Sequence, residues 1–523
     1  MKNLLITSLF LIIITSVFSQ YAPHRVNMAD DGYQTIEKNI IGNSTDTFFK
    51  NKSMVWSEAY NVSINVNQDS RDMDIAMTAD STIHMVYCDD KPGRQSITYK
   101  SKAVDGDWSE GIVIDVFDGV EPRNNHKASI SASDNGDLHV AYHYWAYDGT
   151  FRNQICYSKY TAATGVWSTE IISGDGGTVE STFSDYPRIT TTTSNYPVVV
   201  WGTDNRSGSD KAYLTYNDGV WHEPILISAS FGGKAQWADA TSIGDDQVFI
   251  IFREYNTDHT TLAYYYRIFD ASTGSLSSIV KIDESERIST STYDFYEQAR
   301  VCSTNDGQVF MADNCYDTIQ TYYYDVDAET LTQNEEVHIS NINSYPNYNL
   351  LSVTADNENL IHIAYTIWNT SSNSLRHITF DKGLGFSASE IVSSNFTMDA
   401  PQIIYGVDDQ LHMAFCDDSE DTNGDGYVDR EVYYSFADIT TGISDDIKLN
   451  NKSVSVYPNP SYNGVFKLNT DELFEVLVTD ISGKFVLRTT SNQVIDLSDY
   501  PQGIYMLKGK NSVGMLSVML VKQ

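Results

Sequence analysis

Residues 125–145 read NHKASISASDNGDLHVAYHYW and decide the fold. Their centre, LHVAY at 138–142, alternates in polarity and follows the turn triplet Asp134-Asn135-Gly136, a combination typical of a strand that leaves a tight turn. Similar phrases recur along the chain. They are IHMVY from Ile83, PVVVW from Pro197, VFIIF from Val248, VFMAD from Val309, IHIAY from Ile361 and LHMAF from Leu411.

These seven phrases lie about 50–60 residues apart, which is the period of propeller blades. A four-stranded blade cannot bury both faces alone, so blades pack side by side around an axis. We therefore predict an all-β chain with a seven-bladed β-propeller over residues 66–440. Four histidines share the second slot of their phrases, which favours a structural role: His84, His139, His362 and His412. His126 and His143 lie outside that slot and are candidates for function.

The composition limits the partners. The chain has 35 tyrosines and only 11 prolines among 523 residues, which suits an all-β fold. Its formal charge of −36 argues against a nucleic-acid partner, because phosphate binding requires a basic face. An acidic substrate would need a local basic region, and six arginines lie between residues 123 and 267. The alternative is that these arginines pair with the many carboxylates.

The N-terminal segment carries a targeting pattern. Residues 1–20, MKNLLITSLFLIIITSVFSQ, place a lysine before an apolar run that ends in small residues, as in a secretory signal peptide. No later segment has the length and apolarity of a membrane span. We expect residues 21–65 to form a lead-in that supplies a strand closing the ring, and the exported protein to be a monomer.

Residues 454–523 follow a polar linker at 441–453 and differ in pattern from the propeller. They resemble the C-terminal sorting domain of the bacterial type IX secretion system. The matching motifs are Tyr457-Pro458-Asn459-Pro460, the turn DISGK at 480–484, Gly503-Ile504-Tyr505 and the basic end. The resemblance implies a small β-sandwich, the type IX machinery as a partner, and a secreted or cell-surface location.

An acidic loop at 421–429, DTNGDGYVD, predicts a structural calcium site. Side-chain oxygens stand at positions 1, 3, 5 and 9, glycine stands at position 6, and position 7 offers a backbone carbonyl. The predicted ligands are Asp421, Asn423, Asp425, Tyr427 and Asp429. Val432 replaces the usual glutamate at position 12, so the loop is not a complete EF-hand. The alternative is a solvated acidic turn.

A second group of polar residues clusters in the second and third repeats. Equivalent strand ends of adjacent blades converge near the axis of a propeller. We therefore expect His126 and His143 of the second unit to share one pocket with Tyr186 and Arg206 of the third.

In these motifs the chain resembles propeller-type polysaccharide lyases of the ulvan lyase kind. The shared elements are His126, His143, Tyr186-Pro187 and Arg206-Ser207-Gly208. Lys127 departs from the group, which commonly has asparagine there, and Arg206 lies later than the group's spacing, which makes Arg188 the substitute.

The resemblance implies roles for these residues. His126 would act as base and Tyr186 as acid, or with the roles exchanged, while Arg206 and His143 would neutralise the substrate carboxylate. Arg188, Arg253 and Tyr255 would bind substrate.

The expected function is a secreted lyase that cleaves a uronate-containing acidic polysaccharide, with ulvan as the expected substrate. A sialidase-like glycoside hydrolase is the first alternative. It requires paired carboxylates, or three arginines with a Tyr/Glu pair, of which Arg253-Glu254-Tyr255 is only a fragment, and the Ser-x-Asp-x-Gly-x-Thr-Trp phrase is absent. A non-catalytic glycan-binding propeller is the second.

Overall fold

The structure is a computed structural model of the chain. It describes residues 54, 56–64, 69–91, 94–104, 106–115, 124–147, 151–173, 183–204, 211–228, 235–255, 261–282, 285, 287–288, 299–315, 318–338, 351–367, 374–383, 385–387, 389–394, 401–420, 429–438, 447–449, 452–454, 456–468, 474–480, 485–491, 494–498, 500–510 and 515–522. Across these residues the regular structure is β, without an α-helix.

Seven antiparallel sheets, each with at least four strands, account for the described part of residues 60–438. We number these blades 1 to 7 by the order of their first strands, which we name inner strands. Blade 1 comprises Ser70–Met77, Ile83–Lys91, Arg94–Lys102 and Ile112–Val113; blade 2 Asn124–Ala132, Leu138–Tyr147, Phe151–Thr161 and Val166–Ile171; blade 3 Phe183–Thr191, Pro197–Asp204, Ala212–Tyr216 and Ile225–Leu226.

The later blades follow the same order. Blade 4 comprises Ala235–Gly244, Gln247–Tyr255, Thr261–Asp270 and Ser275–Leu276, with Val280–Lys281 and Arg287–Ile288 also on the third strand; blade 5 Ala299–Ser303, Val309–Cys315, Thr318–Asp325 and Thr330–His338; blade 6 Leu351–Ala355, Ile361–Ile367, Ser374–Asp381, Gly385–Phe386 and Glu390–Ser393; blade 7 Gln402–Tyr405, Gln410–Glu420, Asp429–Asp438 and Tyr60–Asn61.

The blades pack side by side and close on themselves. Each inner strand contacts the inner strand of the next blade, and that of blade 7 contacts that of blade 1. Every junction between neighbouring blades holds its own buried apolar cluster. Burial of apolar area at these junctions is the main force that holds the ring together. The prediction of an all-β propeller is confirmed.

The second strands are buried on both faces, which the alternation in LHVAY did not predict. In blade 2, Leu138 and Val140 pack toward blade 1, whereas Ala141 packs toward blade 3. Ile361–Ile367 of blade 6 is buried along its whole length. The polar second slot is therefore an interior position and not a solvent-facing one.

The N-terminal part of the described chain completes the last blade. Tyr60 pairs with Tyr434 and Asn61 with Tyr433, so Tyr60–Asn61 forms the outermost strand of blade 7. Val62 N donates to the Val432 carbonyl over 2.8 Å. The ring is thus closed by pairing between its two chain ends.

The C-terminal segment forms two small sheets around one core. Val456–Tyr457, Val465–Leu468 and Val494–Asp496 make the first sheet, and Phe474–Asp480, Phe485–Ser491, Gly503–Lys510 and Met515–Lys522 make the second. Phe466 of the first and Val476 of the second belong to the same buried cluster. The predicted β-sandwich is confirmed. Ile447–Leu449 and Lys452–Val454 form a separate hairpin before it.

Candidate functional site

The two ends of the ring differ in local structure. Each inner strand runs toward the turn that leads into its second strand, and we name the end with these turns the turn face. The opposite end is the bulge face, because the inner strands of blades 1 to 4 carry register shifts there. In each of these four bulges one residue has a left-handed φ: Asp72 (49°), Lys127 (57°), Tyr186 (54°) and Trp237 (52°).

Three of these left-handed residues, Lys127, Tyr186 and Trp237, are unusual in type. Glycine is the residue that normally takes this conformation in a bulge, and bulky side chains take it rarely. A non-glycine residue held there costs about 1–3 kcal/mol. The chain therefore retains local strain at equivalent points of adjacent blades, and strained residues of this kind cluster at functional sites.

Three of the four side chains stack in a row across blades 2 to 4. The Lys127 ammonium lies 2.9 Å from the centroid of the Tyr186 ring and 6.0 Å from that of Trp237. The rings of Tyr186 and Trp237 have centroids 3.5 Å apart and are inclined by 45°. All three side chains are partly exposed. The bulge face thus presents a cation and two aromatic rings together.

The predicted catalytic histidines adjoin this row. The backbone of His126 directly precedes Lys127 and pairs with His143 across the first two strands of blade 2. The His143 side chain is buried. His126 and Tyr186 therefore lie on neighbouring inner strands at the same end of the ring. The His126 side chain and all of Arg206 lie outside the described residues.

A ring of polar residues lies at one level of the seven inner strands. On the four bulged strands its members lie two positions past the left-handed residue, about 7 Å away. Each member pairs with the fourth position of a repeat phrase. We name this set the inner polar ring, and its members are Asp74, Ser129, Arg188, Asp239, Arg300, Ser352 and Gln402.

The inner polar ring links successive blades. Four of its side chains accept a hydrogen bond from a backbone N–H of the next blade: Asp74 from Ile130 (3.0 Å), Ser129 from Ile189 (3.3 Å), Asp239 from Val301 (3.2 Å) and Ser352 from Ile403 (3.1 Å). The repeat therefore encodes inter-blade bonds as well as apolar contacts.

Charged members of the ring pair with one another. Arg188 Nη1 lies 3.8 Å from Asp74 Oδ2, two blades away, and Arg300 Nη1 lies 3.9 Å from Asp239 Oδ2. Burial raises the pKa of Asp74 against the opposing charge of Arg188. Burial, and then the charge of Arg188, lowers the pKa of Arg300 to about 9, which leaves it charged at neutral pH. Arg188, the predicted substrate ligand, is thus held by a carboxylate of the ring.

The two other predicted substrate ligands lie inside blade 4. Arg253 is fully buried and Tyr255 is 7% exposed. The Arg253 guanidinium lies 5.2 Å from the centre of the Tyr255 ring. Their role at a substrate site stays a prediction.

The second-slot histidines have structural partners. His139 bonds Ser133 Oγ through Nε2 (2.7 Å) and Tyr157 Oη through Nδ1 (2.6 Å), and His84 is bracketed in the same way by Thr78 and Tyr99. Burial lowers the pKa of both histidines to about 4. Each therefore ties a turn to the third strand of its blade as a neutral group, which confirms the structural interpretation.

The predicted calcium loop lies outside the described residues, apart from the backbone of Asp429, which begins a strand of blade 7. Within the described residues, no group of three or more His, Cys, Asp and Glu could hold a metal ion. Calcium binding stays a prediction for residues 421–429.

Lys127 and Trp237, which contact Tyr186 in the structure, were not among the candidate site residues predicted from the sequence. A signal was available in the spacing of the inner strands. Tyr186 lies three positions before Ile189, and Lys127 and Trp237 lie three positions before the equivalent residues of their own strands, Ile130 and Ala240. Alignment of the inner strands, and not only of the second strands, would have grouped the three.

Residues 455–523 match the family described as the secretion system C-terminal sorting domain. The chain is therefore exported through the type IX secretion system to the cell surface or beyond, as predicted. No helix found within the described residues combines the length and apolarity needed to cross a bilayer. The predicted signal peptide lies outside those residues.

Among solved structures the chain is similar to a protein of unknown function from Dyadobacter fermentans DSM 18053 (9% identity, TM-score 0.47, 74% of this chain and 99% of that chain). It is also similar to an ulvan lyase of family PL25 (11%, 0.46, 68% and 90%) and to the BP39L lectin from Burkholderia pseudomallei (12%, 0.47, 71% and 97%). No curated protein matches the chain.

Proposed function

We propose that the propeller is a polysaccharide lyase that cleaves a uronate-containing acidic polysaccharide, with ulvan as the expected substrate. The observation that carries this proposal is the position of His126 beside Lys127, whose ammonium lies on the ring of Tyr186. The backbone of His126 thereby lies at the same end of the ring as the side chains of Lys127 and Tyr186, on adjacent blades.

β-Elimination requires two proton transfers. The C5–H bond of the uronate breaks, its electron pair forms the C4=C5 double bond, and the C4–O bond breaks with its electrons on the leaving oxygen, which takes up a proton. A histidine and a tyrosine can carry out both transfers. We assign His126 as base and Tyr186 as acid, or the reverse. The Lys127 ammonium on the ring face stabilises negative charge that develops on the phenol oxygen.

The carboxylate of the substrate must be neutralised while C5 loses its proton. An arginine supplies this stabilisation through paired N–H donors. Arg188 is engaged with Asp74 inside the ring. This contact supports Arg206, with His143, as the neutralising pair in preference to Arg188.

We further propose that residues 421–429 bind a structural Ca²⁺ through Asp421, Asn423, Asp425, Tyr427 and Asp429. Their oxygens would hold the ion, whose charge would compensate the clustered carboxylates of that loop. The ion has no part in the elimination.

The direct test is an assay on the purified full chain with ulvan, alginate, pectin and glycosaminoglycans. A lyase produces ultraviolet absorbance from the C4=C5 bond conjugated to the carboxylate, in step with new reducing ends. Reducing ends without that absorbance would show hydrolysis and overturn the lyase proposal.

A glycan-binding propeller without catalysis is the second candidate. The observation that favours it is the row of Lys127, Tyr186 and Trp237, because a cation beside aromatic rings can hold a glycan without reacting with it. Saturable binding of a polysaccharide with neither product in the assay would establish this candidate in place of the lyase.

A further inference from the structure

Lys127, Tyr186 and Trp237 have a combination of features that the catalytic roles do not require. Each comes from a different inner strand, each has a left-handed φ in the bulge of its strand, and each contacts the next. In the proposed mechanism Tyr186 transfers a proton and Lys127 stabilises charge on its oxygen, whereas Trp237 has no part. We name the three residues the platform.

The platform is more exposed than the inner polar ring, which lies deeper along the same strands. The three side chains are partly accessible, whereas Ser129 and Asp239, two residues deeper on the flanking strands, are buried and bonded to the next blade. A ligand at the bulge face therefore meets the platform first, and the inner polar ring closes the space below.

The chemistry of the platform fits one class of ligand. A pyranose ring presents a flat face of C–H groups, which packs on an indole or phenol face. A lysine ammonium is a point charge that pairs with a carboxylate or a sulfate. Because the chain carries a formal charge of −36, an acidic polymer is repelled overall and needs such a local cation.

We propose that the platform is a binding subsite for one anionic sugar unit of a polysaccharide. Trp237 provides the stacking face, and Lys127 pairs with the carboxylate or sulfate of that unit. The inference rests on the proposed class of substrate, an acidic polysaccharide, and is independent of whether the chain cleaves it.

Binding is measured by calorimetry on the full chain carrying Tyr186→Phe, which keeps the ring and prevents turnover by the proposed mechanism. The ligands are alginate oligosaccharides (carboxylate only), sulfated galactan oligosaccharides (sulfate only) and laminarin oligosaccharides (neutral). In this background Trp237→Ala should weaken binding at least about tenfold for the anionic ligand that binds. Lys127→Met should weaken it about tenfold and reduce its dependence on salt.

Matched controls lie elsewhere on the propeller. Lys382→Met removes another lysine from an aromatic face, 4.9 Å from the centroid of Tyr323. Trp221→Ala removes a partly exposed indole that packs edge-on against Tyr157. Both variants should bind like the parent. Trp237→Gly removes the ring and accepts the φ of 52°, so it provides a folded variant if Trp237→Ala is unstable.

The outcomes separate the two proposals. Loss of affinity in the Trp237 and Lys127 variants supports the subsite even if the unmodified chain gives no unsaturated product, in which case only the lyase fails. Equal affinity in parent and platform variants overturns the subsite even if the chain is a lyase. Binding to none of the anionic ligands, or an equal loss for laminarin in Lys127→Met, also overturns it.

Discussion

The turn face and the bulge face both contain left-handed residues, but they are of different kinds. At the turn face they are mostly Asn and Asp, for which this conformation costs little. Their side chains cap the preceding blade: Asn195 accepts from Asp134 N (2.9 Å), Asp246 from Ser194 N (2.8 Å) and Asn359 from Asn305 N (2.7 Å). At the bulge face the equivalent places include Lys127, Tyr186 and Trp237, which contact one another.

The same backbone conformation therefore has two different roles in this ring. At the turn face a short polar side chain offsets the strain by a hydrogen bond that holds neighbouring blades together. At the bulge face the large side chains form stacked contacts and stay partly exposed. The caps stabilise the first end, and the second end is where we propose that the ligand binds.

The largest expected effect is on activity at the bulge face. Tyr186→Phe keeps the ring contacts with Lys127 and Trp237 and removes only the hydroxyl, so kcat/KM should fall about 10²–10⁴-fold with an unchanged melting temperature. His126→Ala should give a loss of the same order. His139→Gln is the control, since it lies in the structural slot and should keep activity. Near-full turnover in Tyr186→Phe would remove the hydroxyl from the mechanism.

The next effect concerns pH and the histidines that brace the turns. His84 and His139 have pKa values of about 4 in the folded chain, below the ordinary 6.5. Above pH 6.5 both histidines are therefore neutral in the folded and in the unfolded chain. Between pH 6.5 and 4 the unfolded chain binds protons that the folded chain does not. Stability should therefore fall as pH drops, by on the order of 3 kcal/mol for each histidine at the lower limit.

Urea unfolding at a series of pH values measures this dependence. His139→Gln should have a lower stability at neutral pH and a shallower slope between pH 6.5 and 4 than the parent. A slope identical to that of the parent would show that this histidine does not titrate with folding. The charge of Lys159 also lowers the pKa of His139. The same pH series on Lys159→Met therefore measures how much of the slope depends on that charge.

Calcium removal should act on stability and leave the chemistry intact. At a calcium concentration about 100 times the dissociation constant, a bound ion stabilises the folded state by about 2.7 kcal/mol. Chelation should lower the melting temperature accordingly and leave kcat of the folded fraction unchanged, and Asp425→Asn should reduce the effect. Loss of turnover at a constant melting temperature would contradict the structural role.

The smallest effect is expected from a single cap at the turn face. Asn195→Ala removes the side-chain oxygen that accepts a hydrogen bond from Asp134 N. It also keeps a Cβ at a φ of 63°, without a hydrogen bond that offsets the strain. The free energy of unfolding should fall by about 1–2 kcal/mol, while glycan binding stays unchanged. Asn195→Gly should recover part of the loss. A change in binding would show that the two faces are coupled.

The propeller was predictable because its core repeats. LHVAY and its counterparts occupy the second strands, whose apolar residues fill the junctions between blades. Their burial on both faces was not predictable from one phrase, since His139 in the second slot looks like a solvent-facing residue. Only its hydrogen bonds to Ser133 and Tyr157 explain a histidine at 2% exposure.

The candidate site was predictable in part. The sequence named Tyr186 and the two histidines of blade 2 as candidates, and their role stays a prediction, but it did not group Lys127 or Trp237 with them. A bulge is usually signalled by glycine, and here the left-handed residues are large, so propensity gives no warning. The partner of Arg188 was equally hidden, because Asp74 lies two blades away and is adjacent only after the ring closes.

The outermost strand of blade 7 has a consequence for how the chain matures. Ser57 and Ser435 bond across a separation of 378 residues, so the closing contact is highly non-local and we expect it to form late in folding. Until it forms, Asp429–Asp438 is an open sheet edge on which a second chain could pair and start aggregation. We therefore expect the exported chain to remain prone to pairing at this edge until its first and last blade segments meet.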